Sequence, residues 1–461
     1  MSEQETYTYS FKENDEREVE KYVGIEAFAS SKIGGIGGVY KKNLKDFIVK
    51  EIDNNRKTLD IKEDYKTHPF SEELKDQYTT FNLIKVNRDT FEALRQISND
   101  LKIPSNLINY SGLKDKRSIS VQKISIKGDY IEKLKRLNLK GIFIRNIYPT
   151  KKPVKLGNHW GNNFTVLLRS VENIKNLRSK INKSINFLNT FGFPNYFGLQ
   201  RFGIYRPNSH IVGRCLLEGD FKNAFEEFVS TTYSTESLAS NTVRKEFRTT
   251  RNLEKAYENF PKSLHYERNM IHYLIKHPDD YEGSINSLPS NLKTLLISAF
   301  QSYIFNRMLS ARVQKGFPLF KPVDGDVIGI MDDYNGNLTQ VKYNYGDFYD
   351  NYLKETLKLN RAAIIIPIIG SKTNLDEFPL MKLIFEEITK QVKIDKHIFS
   401  SKMPTTQKFK GSIRAMTAKP TALKLLELID DDLNPRKKMV KLEFSLQKGS
   451  YATMLIREFI K

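Results

Sequence analysis

The chain contains almost no cysteine and no long run of apolar residues. Cys215 is the one cysteine among 461 residues, which excludes an internal disulfide and a zinc site built from several thiolates. The seven histidines lack the paired spacings of metal sites. No apolar stretch approaches the roughly 18 residues of a membrane-spanning helix, and no signal-peptide pattern opens the chain. We therefore expect a cytoplasmic protein with no membrane association and no structural metal.

The chain does contain an excess of positive charge. Lysine and arginine number 74 against 54 acidic residues, which gives a formal net charge of +20. Residues 1–26 hold eight acidic and three basic side chains, so the remainder carries about +25. An excess of this size favours a phosphate backbone or an anionic membrane surface, and without a spanning segment nucleic acid is the better candidate. The alternative is a lysine-rich surface that is merely solvated.

Strand and helix patterns alternate along the chain without a regular βαβ rhythm. Residues 46–52 predict a strand, Asp89 predicts the start of a helix that ends before Pro104, and further strands are predicted at 118–126, 164–168 and 440–444. The stretch from about 205 to 395 is more helical. This order predicts an α+β fold. We expect an acidic N-terminal extension over 1–30, a first domain over 31–200, an insertion over 201–400, and completion of the first domain by 401–461.

The segment Ser111–Gln122 is the most informative one. Asp115 stands between Lys114 and Lys116, behind the turn-forming Gly112 and ahead of an alternating strand pattern. A carboxylate among cations stays ionised and can approach a polyanion without being repelled. Asp115 is therefore a candidate acidic nucleophile acting on nucleic acid. Most Lys-Asp pairs are solvated turns, and the local pattern alone favours that outcome.

Two further segments suggest a pocket for a nucleobase. Residues 157–164 offer amides that can read a base edge and an aromatic side chain, Phe164, that can stack on a base. The alternative, which the local pattern favours, is an Asn/Gly turn before a strand whose phenylalanine belongs to the core. Residues 193–203 place aromatic residues around Gln200 and Arg201, either as a stacking platform with a phosphate anchor or as a structural hinge. The glycines of residues 34–38 indicate a flexible turn.

Ordered motifs from Gly34 to Arg457 resemble the TruD family of tRNA pseudouridine synthases. Gly112-Leu-Lys-Asp115, followed by a basic residue and Gln122, resembles the nucleophile motif of that family. Asn162-Asn-Phe164 resembles its Asn-x-Phe motif, and its Pro-Asn-Tyr-Phe-Gly-x-Gln-Arg-Phe-Gly signature is complete at residues 194–203. The early lysine of the family, upstream of Asp-Phe-x-Val-x-Glu, falls on Lys41.

The resemblance implies that the chain isomerises uridine, at position 13 of tRNA, to pseudouridine without a cofactor. It implies Asp115 as the nucleophile, attacking the sugar or the uracil ring, and Lys41 as its counter-ion. The alternative for Lys41 is an ordinary surface lysine, like Lys42 and Lys45. Substrate-binding roles fall on Phe164, Asn162, Gln122 and Arg201.

The implied fold is a pseudouridine synthase catalytic domain with a mixed or antiparallel sheet, interrupted by an inserted α/β TRUD domain. The implied partner is tRNA, with other RNAs left open. A monomer is favoured because no coiled-coil seam is present. A pure RNA-binding module is the first rival function, and the carboxylate at Asp115 argues against it. A methyltransferase is the second, and the lack of a glycine-rich cofactor loop argues against that.

Overall fold

The structure is a computed structural model, and it describes residues 8–9, 16–62, 77–332, 336–346, 348, 350–395, 397–400 and 409–461. The described residues divide into two compact units. The sheet unit comprises residues 28–193 and 418–461, and the helical unit comprises 194–417 with the described residues of 1–27. Of the predicted N-terminal extension, residues 1–7 and 10–15 lie outside the described residues, and 16–22 form a helix.

The strands of the described residues are, in chain order, β1 (Thr8–Tyr9), β2 (Phe47–Ile52), β3 (Tyr78–Val86), β4 (Ile108–Tyr110), β5 (Ile119–Lys127), β6 (Ile142–Thr150), β7 (Gly161–Val171), β8 (Phe193–Pro194), β9 (Thr232–Tyr233), β10 (Val327–Met331), β11 (Leu338–Asn344), β12 (Ala362–Ile368), β13 (Ser412–Ala415), β14 (Thr417–Ala418), β15 (Thr421–Asp431) and β16 (Asn434–Gln447).

The helices of the same residues are α1 (Glu16–Tyr22), α2 (Thr90–Leu101), α3 (Ile131–Lys135), α4 (Leu177–Phe191), α5 (Ser209–Glu218), α6 (Phe221–Val229), α7 (Leu238–Thr250), α8 (Leu253–Asn259), α9 (His265–Lys276), α10 (Tyr281–Asn286), α11 (Ser290–Gln314), α12 (Asp350–Lys358), α13 (Pro379–Gln391) and α14 (Ala452–Ile460). Across these described helices, none is both long and apolar enough to cross a membrane.

The sheet unit is built on one mixed sheet. Its strand order is β15-β16-β7-β2-β5-β3-β6, and β4 pairs with β5 at the side of this path. Strands β2 and β5 run parallel, whereas the other described pairs of this sheet are antiparallel. In β16, buried apolar residues at 440, 442, 444 and 446 alternate with less buried ones, as a strand with one face in the core requires. The predicted strand at 440–444 is confirmed.

Helix α2 covers part of one face of this sheet. The Asp89 carboxylate caps its first turn by accepting hydrogen bonds from the amides of Phe91 (2.8 Å) and Glu92 (3.4 Å), which confirms the predicted helix start. Its buried Ala93, Leu94 and Ile97 pack on residues of β3 and β5 in one hydrophobic core cluster. The helix therefore holds the connection from β3 to β4 against this face of the sheet.

The helical unit combines helices α1 and α5–α13 with an antiparallel sheet of order β11-β10-β12-β13. Its longest helix, α11, packs closely against α5. A Cβ atom added at Gly213 of α5 would lie 2.1 Å from the Leu296 carbonyl oxygen, so the two helix backbones can approach this closely only with glycine there. Together with the mixed sheet of the other unit, this confirms the predicted α+β class.

Candidate active site

The pairing of two parallel strands brings Lys41 and Asp115 together. In the β2–β5 pair, Ile48 lies beside Ile119, so both strands begin at the same edge of the sheet. Lys41 lies six residues before β2, and Asp115 lies four residues before β5. The two segments that lead into these strands must therefore run side by side, although 74 residues separate their charged groups along the chain.

Lys41 and Asp115 form a direct ion pair. Lys41 Nζ lies 2.8 Å from Asp115 Oδ2, and the two side chains are 20% and 24% exposed. Lys41 adopts a left-handed backbone conformation with φ of +59°, which is uncommon for a residue with a Cβ atom. Its ammonium also lies 4.0 Å from the centroid of the Phe47 ring, a favourable cation–π distance. The pair is thus half-buried and open to solvent on one side.

Phe164 belongs to an aromatic cluster that continues from this ion pair. Its ring stacks on Phe444 with centroids 5.4 Å apart, and it lies 5.9 Å from the ring of Phe47. Cross-strand pairing fixes these positions, because Phe444 of β16 lies directly opposite Phe164 of β7. Only 7% of Phe164 is exposed. Phe47 therefore contacts both the ammonium of Lys41 and the cluster that holds Phe164.

Asn162 lies two residues before Phe164, so both side chains point to the same face of β7. Its Oδ1 atom is buried and has no hydrogen-bond partner among the residues that the structure describes. Buried amide oxygens normally accept a hydrogen bond, and one left without a partner carries a free-energy cost. This oxygen is therefore an unused acceptor, and a donor from outside the chain reaches it only if the surrounding side chains move.

Gln122 holds the loop of residues 111–118, here called the Asp115 loop. Its Nε2 donates to the Gly112 carbonyl at 3.0 Å, and its Oε1 accepts from the Thr90 hydroxyl at 3.3 Å. The side chain is fully buried on β5. Both ends of its amide are thus engaged within the protein, and its role in substrate binding stays a prediction.

Arg201 belongs to the helical unit. Its Nε donates to Ser302 Oγ at 3.1 Å, and its guanidinium lies 5.6 Å from the centroid of the Phe197 ring. These contacts anchor the side chain within the 194–203 signature and helix α11. Whether it also binds a phosphate stays a prediction.

A buried ion pair beneath the Asp115 loop was not predicted from the sequence. Lys114 Nζ lies 2.7 Å from Glu51 Oε2, and both side chains are only 2% exposed. The same oxygen accepts from the Ser111 hydroxyl at 2.5 Å, and Glu51 Oε1 accepts from the Lys123 amide at 3.2 Å. One signal was available: Glu51 follows the buried Phe47 and Val49 at alternate positions of β2, and a charge on a buried face requires partners.

His159 packs against the same loop. A Cβ atom added at Gly112 would lie 3.1 Å from His159 Cε1, so glycine lets the imidazole approach the loop backbone closely. Burial, followed by the nearby Lys114 ammonium, lowers the pKa of His159 to about 4. The imidazole is therefore neutral near pH 7. It fills space under the loop rather than adding a further cation.

A basic hollow of about 430 Å³ borders the Asp115 loop. It is lined by Lys152, Pro153, Lys155, Leu156, Gly157 and Asn158. The Gly157 amide donates to the Ser111 carbonyl at 2.7 Å, which attaches this segment to the first residue of the loop. The lysines of the hollow thus lie within the same unit as the ion pair, in a segment that is hydrogen-bonded to the Asp115 loop.

The cysteine lies outside this site, and the described residues contain no candidate metal site. Burial raises the pKa of the Cys215 thiol to about 12, so this side chain is a protonated core residue. Among the residues that the structure describes, no group of three or more His, Cys, Asp or Glu side chains could hold a metal ion.

Known proteins match nearly the whole chain. The sequence profile of the tRNA pseudouridine synthase D (TruD) family matches residues 22–459. Proteins named "Probable tRNA pseudouridine synthase D" include one from Methanosarcina mazei, 32% identical over 96% of this chain and 98% of its own length. A protein from Methanocaldococcus jannaschii named "Probable tRNA pseudouridine synthase D 1" is 31% identical over 92% of this chain and 96% of its own length.

Structural comparison gives the same answer. The crystal structure of a Methanosarcina mazei protein described as a tRNA pseudouridine synthase D superposes with a TM-score of 0.76 at 30% sequence identity. The match covers 96% of this chain and 98% of that one. The chain therefore belongs to the tRNA pseudouridine synthase D (TruD) family.

Proposed function

We propose that the chain converts uridine 13 of tRNA to pseudouridine, with Asp115 as the nucleophile and without a cofactor. The observation that carries the proposal is the ion pair between Lys41 and Asp115, which the start of two parallel strands holds at a partly open surface. The relatives named above supply the reaction and the class of RNA. The excess of positive charge suits a polyanionic substrate.

The ion pair orients the nucleophile. Asp115 Oδ2 accepts from the Lys41 ammonium, which leaves Oδ1 without a hydrogen-bond partner among the described residues and available for attack. Asp115 attacks either C1′ of the ribose or C6 of the uracil. In both routes the bond that Asp115 forms with the substrate breaks again, the N1–C1′ bond is replaced by a C5–C1′ bond, and the proton lost from C5 is balanced by one gained at N1. No atom is added and nothing is oxidised, so the reaction needs no cofactor.

The target uridine must leave its stack to reach Asp115, which costs a few kcal/mol. Phe164 offsets part of this cost by contacting the flipped ring. The contacts of Phe164 with Phe47 and Phe444 hold it in place, and because it is only 7% exposed, the base meets its accessible edge unless the cluster opens. The free Oδ1 of Asn162 is an acceptor, and the uracil N3–H is the donor that matches it.

Contacts outside the pocket hold the RNA without reading its sequence. Lys152 and Lys155 of the basic hollow are suited to this role, because the hollow is attached to the Asp115 loop through Gly157. Arg201 is a further candidate for a phosphate contact from the helical unit. Each lysine that meets a phosphate should add to the salt dependence of binding.

The reaction is tested with unmodified tRNA that carries tritium at C5 of uridine. Forming the C5–C1′ bond releases that tritium, so the wild-type protein is expected to release one equivalent per tRNA without any added cofactor. A tRNA with cytidine at position 13 should release none. Release from the cytidine-13 tRNA equal to that from wild-type tRNA would overturn the assignment of position 13.

Asp115→Asn tests the nucleophile. It removes the charge with little change of shape, and it is expected to abolish tritium release while tRNA affinity changes less than about tenfold. Asp100→Asn is the matched control, because Asp100 is an exposed carboxylate on α2 of the same unit. Substantial turnover by purified Asp115→Asn would remove Asp115 from the mechanism.

A further inference from the structure

A buried lysine beneath the Asp115 loop has no role in the chemistry derived above. Lys85 lies on β3, its side chain is fully buried, and its Nζ donates three hydrogen bonds to backbone carbonyls. The acceptors are the carbonyl oxygens of Arg88 at 2.9 Å, Lys114 at 3.0 Å and Asp115 at 2.7 Å. An ammonium has three N–H donors, so these three bonds use all of them.

We propose that Lys85 is a positioning residue that holds the carboxylate of Asp115 in place through the backbone of the Asp115 loop. The proposal rests on the function proposed for Asp115. Two of the three acceptors belong to consecutive residues, 114 and 115, and one nitrogen can bind both only if their carbonyls converge on it. With these carbonyls held by Lys85, the backbone from which the Asp115 side chain projects is fixed at that residue.

Other hydrogen bonds also hold the backbone of the Asp115 loop near residues 114 and 115. Ser118 Oγ donates to the Asp115 carbonyl at 2.7 Å, so that oxygen receives two donors. The Lys114 amide donates to the Thr90 hydroxyl at 3.2 Å. The Thr90 bond already ties the loop to helix α2, and Lys85 reinforces this connection because its third acceptor is the Arg88 carbonyl, just before the helix. A single side chain thus joins the residue of the nucleophile to a rigid element.

A charged group at this position is costly to bury. Asp115 and Asp89 are the opposite charges that face the ammonium, and Lys114 is the like charge. Burial outweighs the two carboxylates and lowers the pKa of Lys85 to about 8. Lys85 therefore remains mostly charged at pH 7 although it has no carboxylate as a direct partner among its three acceptors. Charged donors make the stronger hydrogen bonds to carbonyls.

The chain offers a control lysine that also binds two backbone carbonyls but lies away from the Asp115 loop. Lys461 Nζ donates to the carbonyls of Ser30 and Ile33 at 2.5 and 2.9 Å, and it lies in the same unit as Lys85. Its other partners are the Ser30 hydroxyl and the Glu458 carboxylate, and none of these residues belongs to the Asp115 loop. If removing any buried lysine of this unit impaired the reaction, Lys461→Met would do so as well.

The test compares Lys85→Met with Lys461→Met in the full chain. For Lys85→Met we expect kcat on tRNA to fall at least about 100-fold while KM changes less than about threefold, because misplacement of a reacting group by about 1 Å costs about that much. Hydrogen exchange of peptides covering 111–118 should become at least about tenfold faster. For Lys461→Met both kinetic constants and this exchange should stay within about twofold of wild type.

Hydrogen exchange separates failure of this proposal from failure of the proposed function. Asp115→Asn should leave exchange of 111–118 unchanged, because Lys85 binds its backbone rather than its carboxylate. If the wild-type protein forms no pseudouridine but Lys85→Met still speeds exchange of the loop, the proposed chemistry fails and the loop-holding role stands. If the wild-type protein is active and Lys85→Met keeps its kcat, or leaves exchange of the loop unchanged, the proposal is overturned.

A measurement on the wild-type protein covers the case in which Lys85→Met does not fold. Above pH about 8 the Lys85 ammonium loses a proton and with it one of its three donors. The single-turnover rate is therefore expected to fall by at least about threefold between pH 7.5 and 9, while tRNA affinity at fixed salt stays within about twofold. A single-turnover rate that keeps rising to pH 9 would overturn the proposal.

Discussion

The buried pair between Glu51 and Lys114 supports a sharp prediction about stability. Glu51→Gln keeps the shape of the side chain but removes the negative charge that faces the Lys114 ammonium at 2.7 Å. Both side chains are almost fully buried, so water cannot replace the lost partner. Removing one partner of a buried ion pair leaves an uncompensated charge, which typically costs about 3–5 kcal/mol. We expect Glu51→Gln to destabilise the sheet unit by about 3 kcal/mol.

The partner variant should cost less. In Lys114→Met the Glu51 carboxylate keeps the Ser111 hydroxyl and the Lys123 amide as donors, so we expect a loss of about 2 kcal/mol. The double variant removes both charges and should be less destabilised than the sum of the single variants. The coupling free energy from this double-mutant cycle should be about 2 kcal/mol.

The only tryptophan of the chain provides the assay. Trp160 is buried in the sheet unit and its amide donates to the Ile52 carbonyl, directly after Glu51 on β2. Its fluorescence during urea unfolding should therefore report on this unit even if the helical unit unfolds separately. The matched control is Glu132→Gln, because the exposed pair between Glu132 and Lys135 has the same 2.7 Å separation. This control should leave the transition unchanged. A loss below about 1 kcal/mol for Glu51→Gln, or a coupling free energy near zero, would refute the reasoning.

Three further predictions concern the base pocket, acid stability and RNA binding. Phe164→Ala should slow single-turnover pseudouridine formation by about 10–100-fold, equivalent to about 1–3 kcal/mol of lost contact with the base, and an unchanged rate would place Phe164 in the core alone. The pKa of His159 is lowered to about 4 in the folded protein, so the unfolded state binds more protons between pH 6.5 and 4. The free energy of unfolding should therefore fall as pH falls through that window, by up to about 3 kcal/mol. A His159→Gln variant with the same acid sensitivity as wild type in urea unfolding would contradict this. Replacing Lys152 and Lys155 by alanine should weaken tRNA binding and reduce the slope of log affinity against log salt by about 1–2, and a slope equal to that of wild type would exclude both from phosphate contact.

Local signals predicted the elements that depend on local physics. The Asp89 cap and the spacing of apolar residues behind it predicted helix α2, because both the cap and the periodicity lie within a few residues. The alternation at 440–444 predicted part of β16 for the same reason. The pair of Lys41 with Asp115, however, depends on the parallel pairing of β2 and β5, which no local sequence pattern indicates. Only the resemblance to a family indicated Lys41.

The buried charges escaped prediction for a related reason. Lysine and glutamate are mostly exposed, so Lys85, Lys114 and Glu51 read as solvated side chains in a single sequence. Their partners lie far away along the chain: 63 residues separate Lys114 from Glu51, and 30 separate Lys85 from Asp115. Both faces of β3 are buried, so its apolar pattern does not show that Lys85 points inward beneath a loop.

Paired charges also explain how one carboxylate can serve at a site proposed to bind RNA. Around the Asp115 loop, the ammonium groups of Lys41, Lys85 and Lys114 face the carboxylates of Glu51, Asp89 and Asp115, so these charges balance. Glu51 is matched by Lys114 within the core, and Asp115 is matched by Lys41 at the surface. An approaching phosphate would therefore meet a paired carboxylate rather than an isolated negative charge, while the net positive charge of the whole chain attracts the RNA. Because Lys85 is buried beneath the loop, its proposed role is to hold the backbone rather than to attract the substrate.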